Sequence, residues 1–251
     1  MTASRIRYGT HPDQFGELHL PTGPPIATVV VIHGGFWRAQ YTLDLGTPLA
    51  ADLAERGYAA WNLEYRRVGS GGGWPATFAD VAAGIDALAE LPVDTTRVVT
   101  VGHSAGGQLA VWAAGRDALP ADAPGARPRV RLTAAVAQAG VLDLSGGYRA
   151  GIGGGMVADL MGASPEQDRM RYESADPLRQ VPLPVPVVCL HARADQDVPF
   201  AHSVDYVAAA ERAGAQAELI ETPGDHYSLI HIDTPAWQLT VDAVGRLTSG
   251  S

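Results

Sequence analysis

Lysine is absent from this chain of 251 residues, so all 18 of its basic residues are arginines. This absence excludes a lysine nucleophile or Schiff base. The 27 acidic residues give a formal net charge of −9, and no basic run occurs. An acidic chain without basic clusters gives no support for binding to nucleic acid or to an anionic membrane. A run of about 18 apolar residues is also missing, and no apolar segment follows Met1, so we expect neither a membrane span nor a signal peptide.

Cysteine occurs once, as Cys189 in the apolar run from Val187 to Leu190. An intrachain disulfide is therefore excluded, and we expect Cys189 to be a small buried side chain. A chain without disulfides fits a reducing compartment, so we expect a cytoplasmic location. The eight histidines lack ligand spacing, and no H-E-x-x-H or Cys/His cluster occurs, so we predict no metal site and no cofactor.

Hydrophobic residues make up 46% of the chain and charged residues 18%, which predicts one globular domain over residues 1–251. Apolar runs alternate with segments of helical spacing, as in a mostly parallel sheet covered on both faces. Strands are predicted at 17–20, 26–32, 58–63, 97–101, 133–139, 186–191 and 217–222. Helices are predicted at 44–56, 77–90, 104–115, 202–213 and 235–247. The sequence therefore predicts an α/β fold with three layers.

Residues 143–182 do not follow this alternation. They hold many glycines and few β-branched residues, so we predict an irregular insertion with a short helix near 156–161 and consider it a candidate lid. Two helix starts are predicted from capping signals. Thr77 and Asp80 form a capping-box pattern, and Thr234 precedes a proline at the first helical position.

Gly102 to Gly106 read G-x-S-x-G and lie where the strand at 97–101 meets a helix. A serine between glycines at such a tight turn takes a strained backbone conformation, which leaves its Oγ projecting from the sheet. Ser104 is therefore a candidate nucleophile.

Three other strand ends carry the groups that acyl transfer needs beside a nucleophile. His33-Gly34-Gly35-Phe36-Trp37 follows the strand at 26–32, Asp195 and Asp197 follow the strand at 186–191, and His226 follows the strand at 217–222. Ligands bind beyond the carboxyl ends of strands in an open α/β sheet. A serine, an acid and a histidine at that edge predict a nucleophile, a carboxylate and a base.

These segments resemble the α/β-hydrolase superfamily, whose chain order is nucleophile, acid, histidine. The segments at 33–37, 102–107 and 225–230 are most similar to small serine esterases and arylformamidases of the kynurenine formamidase-like branch. Phe36 stands where hormone-sensitive-lipase-type esterases have a third glycine. His191 to Pro199 resembles the acid loop of feruloyl and acetyl esterases and of prolyl-oligopeptidase-type peptidases. The resemblance implies an eight-stranded α/β-hydrolase sheet with a lid-like insertion.

The resemblance implies that Ser104 attacks a carbonyl carbon and that His226 takes its proton. His202 and His231 are the rival bases. Aligning Val198-Pro199 with the family's V-P places Asp195 at the acid position. Asp197 and, after an earlier strand, Asp143 remain alternatives, since in some hydrolases the acid migrates to that strand.

Ala105 would offer its backbone N–H to the oxyanion at the start of a helix, and Gly35 or Phe36 would supply the second donor. The segment Glu64-Tyr65-Arg66-Arg67 is predicted to hold a buried structural ion pair between Glu64 and one of its two arginines. Besides Phe36, five large side chains in the surrounding loops are predicted to contact the substrate: Trp37, Trp74, Met156, Met161 and Tyr227.

We therefore expect a metal-independent serine hydrolase that cleaves small carboxylic esters or aryl amides through an acyl-enzyme. Its expected partner is the small-molecule substrate, with a homodimer left open. One alternative is a prolyl-oligopeptidase-like exopeptidase, although the chain has no N-terminal domain to filter peptides. The other is a non-catalytic hydrolase-fold binding protein, which would commonly lack one member of the triad.

Overall fold

One eight-stranded sheet forms the centre of the computed structural model, which describes residues 3–249. Its strand order is β1-β2-β4-β3-β5-β6-β7-β8, and only the pairings of β2 with β1 and with β4 are antiparallel. The strands are β1 (Ser4–Arg7), β2 (Phe15–His19), β3 (Thr28–Ile32), β4 (Ala59–Leu63), β5 (Val98–His103), β6 (Ala134–Gln138), β7 (Val187–Ala192) and β8 (Ala217–Thr222).

Helices cover both faces of this sheet. They are α1 (Thr47–Glu55), α2 (Ala76–Asp86), α3 (Ala105–Ala114), α4 (Leu144–Ala150), α5 (Ile152–Met161), α6 (Arg169–Ala175), α7 (Ala201–Arg212) and α8 (Pro235–Thr248). One hydrophobic cluster packs α2, α3, the insertion and α7 on one face, and another packs α1 and α8 on the opposite face. The predicted three-layer α/β architecture is confirmed. Between residues 3 and 249, no helix has both the length and the hydrophobicity needed to cross a membrane.

The central strands are buried on both faces, as their sequences require. All five residues of β3, Thr-Val-Val-Val-Ile, are buried, and so are all of β4, β5, β6 and β7. Continuous β-branched and small apolar runs are typical of parallel strands that have helices on each side. Because these strands are parallel, the carboxyl ends of β3, β5, β7 and β8 lie at the same edge of the sheet, where the candidate site lies.

The sequence-based strand list omits β1. Its residues, Ser-Arg-Ile-Arg, are mostly exposed and pair antiparallel with β2 at the edge of the sheet. An edge strand needs neither a hydrophobic run nor a clean alternation, so the pattern gave no signal.

The insertion at 143–182 is largely helical, in contrast to the predicted irregular segment, and the short helix predicted near 156–161 is confirmed as the regular part of α5. It contains α4, α5 and α6, and the carboxylates of Asp143 and Asp168 cap α4 and α6. Gly153, Gly154 and Gly155 have positive φ values of 59°, 71° and 91°, which kinks the start of α5. The glycines that predicted an irregular backbone therefore form turns between helices.

The capping box predicted at Thr77 is wrong. Pro75 is the residue that precedes α2, and Thr77 lies within the helix, where its hydroxyl donates to the Arg66 carbonyl at 2.6 Å. Asp80 instead binds the Arg66 guanidinium. The cap predicted at Thr234 is confirmed, because its hydroxyl accepts a hydrogen bond from Trp237 N–H at 3.1 Å.

Candidate active site

Ser104 occupies a sharp turn between β5 and α3. Its φ and ψ of 54° and −117° lie in a region of backbone conformation that residues other than glycine rarely adopt, and the residue is 3% exposed. A Cβ at Gly102 would lie 2.1 Å from the Gly106 carbonyl oxygen, and a Cβ at Gly106 would lie 2.0 Å from the Ile32 carbonyl oxygen. Only glycine fits at both positions, so the sequence pattern and the strained turn have the same steric cause.

His226 and Asp195 meet beside this turn. His226 Nδ1 lies 2.6 Å from Asp195 Oδ2, and both residues are buried, at 3% and 8% exposed. The Ser104 hydroxyl makes no hydrogen bond to any residue between 3 and 249, His226 included. A hydrogen bond between a nucleophile and its base often tightens only when a substrate binds. The pair of His226 and Asp195 is therefore formed here, whereas the pair of Ser104 and His226 is not.

Asp195 is held by three hydrogen-bond donors and lies close to His191, although it is on a loop. Its Oδ1 accepts from the backbone N–H groups of Asp197 and Val198, each at 2.8 Å, and its Oδ2 faces His226 and His191 Nε2, the latter at 3.2 Å. Burial alone would raise the pKa of the Asp195 carboxyl, but the neighbouring His191 and His226 rings and the Val198 N–H hold it well below its usual value. The carboxylate therefore stays ionised next to His226.

The alternative acids lie elsewhere. Asp197 accepts a long hydrogen bond from the Tyr227 hydroxyl at 3.4 Å. Asp143 caps α4 by accepting from Gly146 N–H at 2.7 Å, and its own N–H donates to His202 Nδ1. Of the three carboxylates that the sequence left open, Asp195 is the one that forms a hydrogen bond with His226.

Asp195, Asp197 and His226 are also the described residues that come closest to a metal-ligand group, with their ligand atoms within 4.8 Å of one another. Within this group, His226 Nδ1 and Asp195 Oδ2 already form a hydrogen bond with each other. The grouping is explained by the acid–base pair, with Asp197 at its edge.

The segment Gly34 to Trp37 passes directly over Ser104. A Cβ at Gly34 would lie 3.2 Å from Ser104 Cβ, and φ is positive at Gly35, Phe36 and Trp37, with values of 106°, 55° and 54°. Among residues 3–249, the N–H groups of Gly35, Phe36 and Ala105 have no hydrogen-bond acceptor. Unpaired donors beside a candidate nucleophile can bind a developing oxyanion, which is the role that the sequence predicts for them.

A buried polar network holds this segment from below. Glu64 forms the predicted ion pair with Arg67, and its Oε1 also lies 3.0 Å from His33 Nε2. His33 is stacked on Tyr65, whose hydroxyl donates to the His33 carbonyl at 2.7 Å. Burial would raise the pKa of Glu64, but His33 and Arg67 lower it to about 2. The predicted pair is thus confirmed, and it extends to the segment that carries the candidate oxyanion donors.

The large side chains predicted to contact the substrate occupy three environments. Trp37, Met156 and Met161 are at most 1% exposed and pack in the core, so they present no surface to a ligand, in contrast to the prediction. Trp74 packs against Phe78 and lines a cavity of about 330 Å³ that no triad candidate lines. Residue type and position in a loop alone did not distinguish a side chain that packs in the core from one that lines the substrate pocket.

Phe36 and Tyr227 do lie at the candidate site. The Phe36 ring packs under the kink at the start of α5, where a Cβ at Gly153 would lie 2.9 Å from it. Tyr227 is 47% exposed, and its ring packs edge-on against His226 with centroids 5.2 Å apart. These two residues flank the strained serine and its neighbouring histidine.

The arrangement of the sheet and the strained serine turn define an α/β-hydrolase fold. The chain belongs to the BD-FAE family, whose profile matches residues 17–209. No curated protein sequence matches it. The branch of arylformamidases suggested by the sequence stays a prediction.

Solved structures of esterases share this fold at low sequence identity. A truncated carbohydrate esterase from gut microbiota is 20% identical, with a TM-score of 0.84, covering 100% of this chain and 97% of its own. Esterase B from Lactobacillus rhamnosis is 19% identical, with a TM-score of 0.83 and coverage of 98% and 86%. Esterase 2 from Thermogutta terrifontis, solved with butyrate bound, is 23% identical, with a TM-score of 0.76 and coverage of 97% and 92%.

Proposed function

We propose that the chain is a serine hydrolase that cleaves small carboxylic esters through an acyl-enzyme. The observation that carries this proposal is the 2.6 Å hydrogen bond between buried Asp195 and His226, which lies beside the strained Ser104 turn. The family and the esterase names of similar structures support an ester as the substrate. The alcohol portion could be a sugar, as the name of the carbohydrate esterase suggests, so acylated sugars belong among the substrates tested.

In the proposed reaction, Ser104 Oγ attacks the carbonyl carbon of the ester while His226 Nε2 takes its proton. His226 Nδ1 donates to Asp195, so Nε2 is the nitrogen with a free lone pair. The ionised Asp195 stabilises the imidazolium that forms, and Ala105 N–H together with Gly35 or Phe36 N–H binds the oxyanion. His226 then protonates the leaving alcohol, and a water activated by the same histidine releases the acid.

The test is hydrolysis of p-nitrophenyl acetate, acetylated sugars and N-formylkynurenine by wild type and Ser104→Ala. We expect ester hydrolysis by wild type and a loss of at least about 10³-fold in kcat in the variant, because the nucleophile is removed. Ser249→Ala, which changes an exposed serine beyond α8, is the control and should match wild type.

Fluorophosphonate labelling gives an independent readout. The reagent should modify wild type and Ser249→Ala on Ser104, whereas Ser104→Ala should stay unlabelled. Folded wild-type protein that neither reacts with the reagent nor hydrolyses any ester would refute the proposal. Cleavage of N-formylkynurenine in preference to every ester would move the reaction to the amide class.

A further inference from the structure

His103 and Gln138 occupy the carboxyl ends of the central strands β5 and β6, where they are paired in register. Both are buried, at 5% and 1% exposed, and the Ser104 N–H donates to the Gln138 carbonyl oxygen at 2.7 Å. Their side chains therefore extend from the middle of the sheet, directly beside the candidate nucleophile. Neither has a role in the proton transfers described above.

Both side chains donate to the loop that carries His226. His103 Nε2 lies 2.9 Å from the His226 carbonyl oxygen, and Gln138 Nε2 lies 2.8 Å from the Leu229 carbonyl oxygen. Because a carbonyl oxygen can only accept, the proton of a neutral His103 ring must be on Nε2. The sheet thus binds the segment 226–229 at both of its ends.

Most other hydrogen bonds of this loop join its own residues. Asp225 Oδ1 accepts from the N–H groups of Tyr227 and Ser228 and from the Ser228 hydroxyl. Such bonds keep the turn intact without fixing where it lies relative to the sheet. The side-chain bonds that reach outside it within the described residues are those to His103, Gln138, Asp195 and Thr234 and the long bond from the Tyr227 hydroxyl to Asp197.

His103 also suits its position electrostatically. Burial and the neighbouring His226 lower the pKa of His103 to about 3, so it is neutral at pH 7. The two rings lie with centroids 4.5 Å apart. A neutral donor fixes the backbone of His226 without placing a second positive charge beside a ring that must become an imidazolium.

We propose that His103 and Gln138 form a clamp that holds the His226 loop against the sheet and that His103 is a positioning residue for the base. The inference rests on the proposed function, since positioning matters for catalysis only if His226 is the base. Through the clamp, the strand that precedes Ser104 also fixes the position of His226, the partner of Ser104. Misplacing a catalytic group by about 1 Å can cost about 100-fold in rate.

The test compares two substitutions of one residue. His103→Phe keeps a ring against His226 but removes the donor, whereas His103→Gln keeps an N–H donor at a similar reach. We expect kcat for p-nitrophenyl acetate to fall by about 10- to 100-fold in His103→Phe with KM nearly unchanged. His103→Gln should recover most of that loss.

Thr100→Val is the matched control. Its hydroxyl makes a buried hydrogen bond to the Ala110 carbonyl at 3.1 Å from the same strand, so the variant loses an interaction of the same kind away from His226. It should lower thermal stability but leave kcat unchanged. Hydrogen exchange of residues 225–230, followed by mass spectrometry, should quicken in His103→Phe and stay at the wild-type rate in Thr100→Val.

Several outcomes would overturn the clamp. These are wild-type kcat in folded His103→Phe, equal losses in His103→Phe and His103→Gln, or unchanged exchange of residues 225–230. If wild type lacks any esterase activity that depends on Ser104, the proposed function fails, and with it the positioning role. The exchange measurement still decides separately whether His103 holds the loop.

Discussion

The choice between Asp195 and Asp197 depends on single atoms. Asp195→Asn can still accept from the N–H groups of Asp197 and Val198, but its amide nitrogen would face His226 Nδ1. The ring would then carry its proton on Nε2 and could not accept one from Ser104. We expect kcat for ester hydrolysis to fall by about 10⁴-fold in Asp195→Asn.

Asp197→Asn is the matched control, since it removes a charge two residues away and leaves the His226 hydrogen bond in place. Steady-state kinetics of both variants should show a large loss only in Asp195→Asn. The reverse result, with Asp197→Asn impaired and Asp195→Asn active, would assign the acid to Asp197.

Residue patterns predicted the candidate chemistry better than they predicted its surroundings. The glycines around Ser104 predicted the strained turn because sterics leave no other residue there, and the V-P of the acid loop favoured Asp195 over its neighbour. The burial of Trp37 and Met156 could not be read in the same way, since it depends on contacts between elements far apart in sequence. The role of His103 could not be predicted either, since the carbonyl oxygen that accepts from it lies 123 residues away along the chain.

At the scale of elements, the insertion is tied to the rest of the protein by buried hydrogen bonds. Gln108 and Trp112 of α3 donate to the carbonyl oxygens of Ala175 and Ser174, at 3.0 and 2.9 Å. Within the insertion itself, Asp176, 1% exposed, accepts from the N–H groups that begin α4. These contacts indicate that the insertion is held in one position against α3. Its role as a lid stays a prediction.

The contact at the start of α4 leads to a prediction for Asp176→Asn. The asparagine amide would bring a donor toward the N–H groups of Leu144 or Ser145, each of which Asp176 binds at 3.0 Å. We expect the free energy of unfolding to fall by about 1–3 kcal/mol, because buried donors lose their acceptor. Chemical denaturation measures this change, and hydrogen exchange should quicken at 144–150 before it does in β5.

Asp159→Asn is the control for this substitution, because Asp159 lies exposed on α5 of the same insertion. It should change neither stability nor exchange. If Asp176→Asn exchanged uniformly faster across α4 and the central strands, the insertion would unfold only together with the core.

At the scale of the whole molecule, the site is assembled from four strand ends that the sequence separates widely. The segment after β3, Ser104 after β5, Asp195 after β7 and His226 after β8 meet at the carboxyl edge of the parallel strands. That convergence could be predicted because the direction of parallel strands fixes which loops share an edge. The helical form of the insertion could not, because its helices are short, rich in glycine and stabilised by contacts to α3.

Burying ionised carboxylates makes the stability of the whole protein depend on pH. The pKa of Glu64 lies at about 2 in the folded chain, below its usual 4.5, because His33 and Arg67 outweigh the effect of burial. A lowered pKa stabilises the fold above the usual value, and that contribution is lost as pH falls from about 4.5 toward 2. The pKa of Asp195 is also lowered, so Asp195 adds to this pH dependence. Burial raises the pKa of Asp176, so Asp176 changes stability with pH in the opposite direction.

We therefore expect the free energy of unfolding, measured by urea denaturation, to fall between pH 5 and pH 3. Glu64→Gln should be less stable than wild type at pH 7, and its stability should decline less steeply, since up to about 3 kcal/mol of the pH-dependent part is removed. Glu218→Gln, in a half-exposed ion pair with Arg246, is the control and should follow the wild-type slope because surface pairs contribute little. Parallel profiles for wild type and Glu64→Gln would show that Glu64 is not held ionised by His33 and Arg67, and the segment carrying the candidate oxyanion donors would then need another source of support.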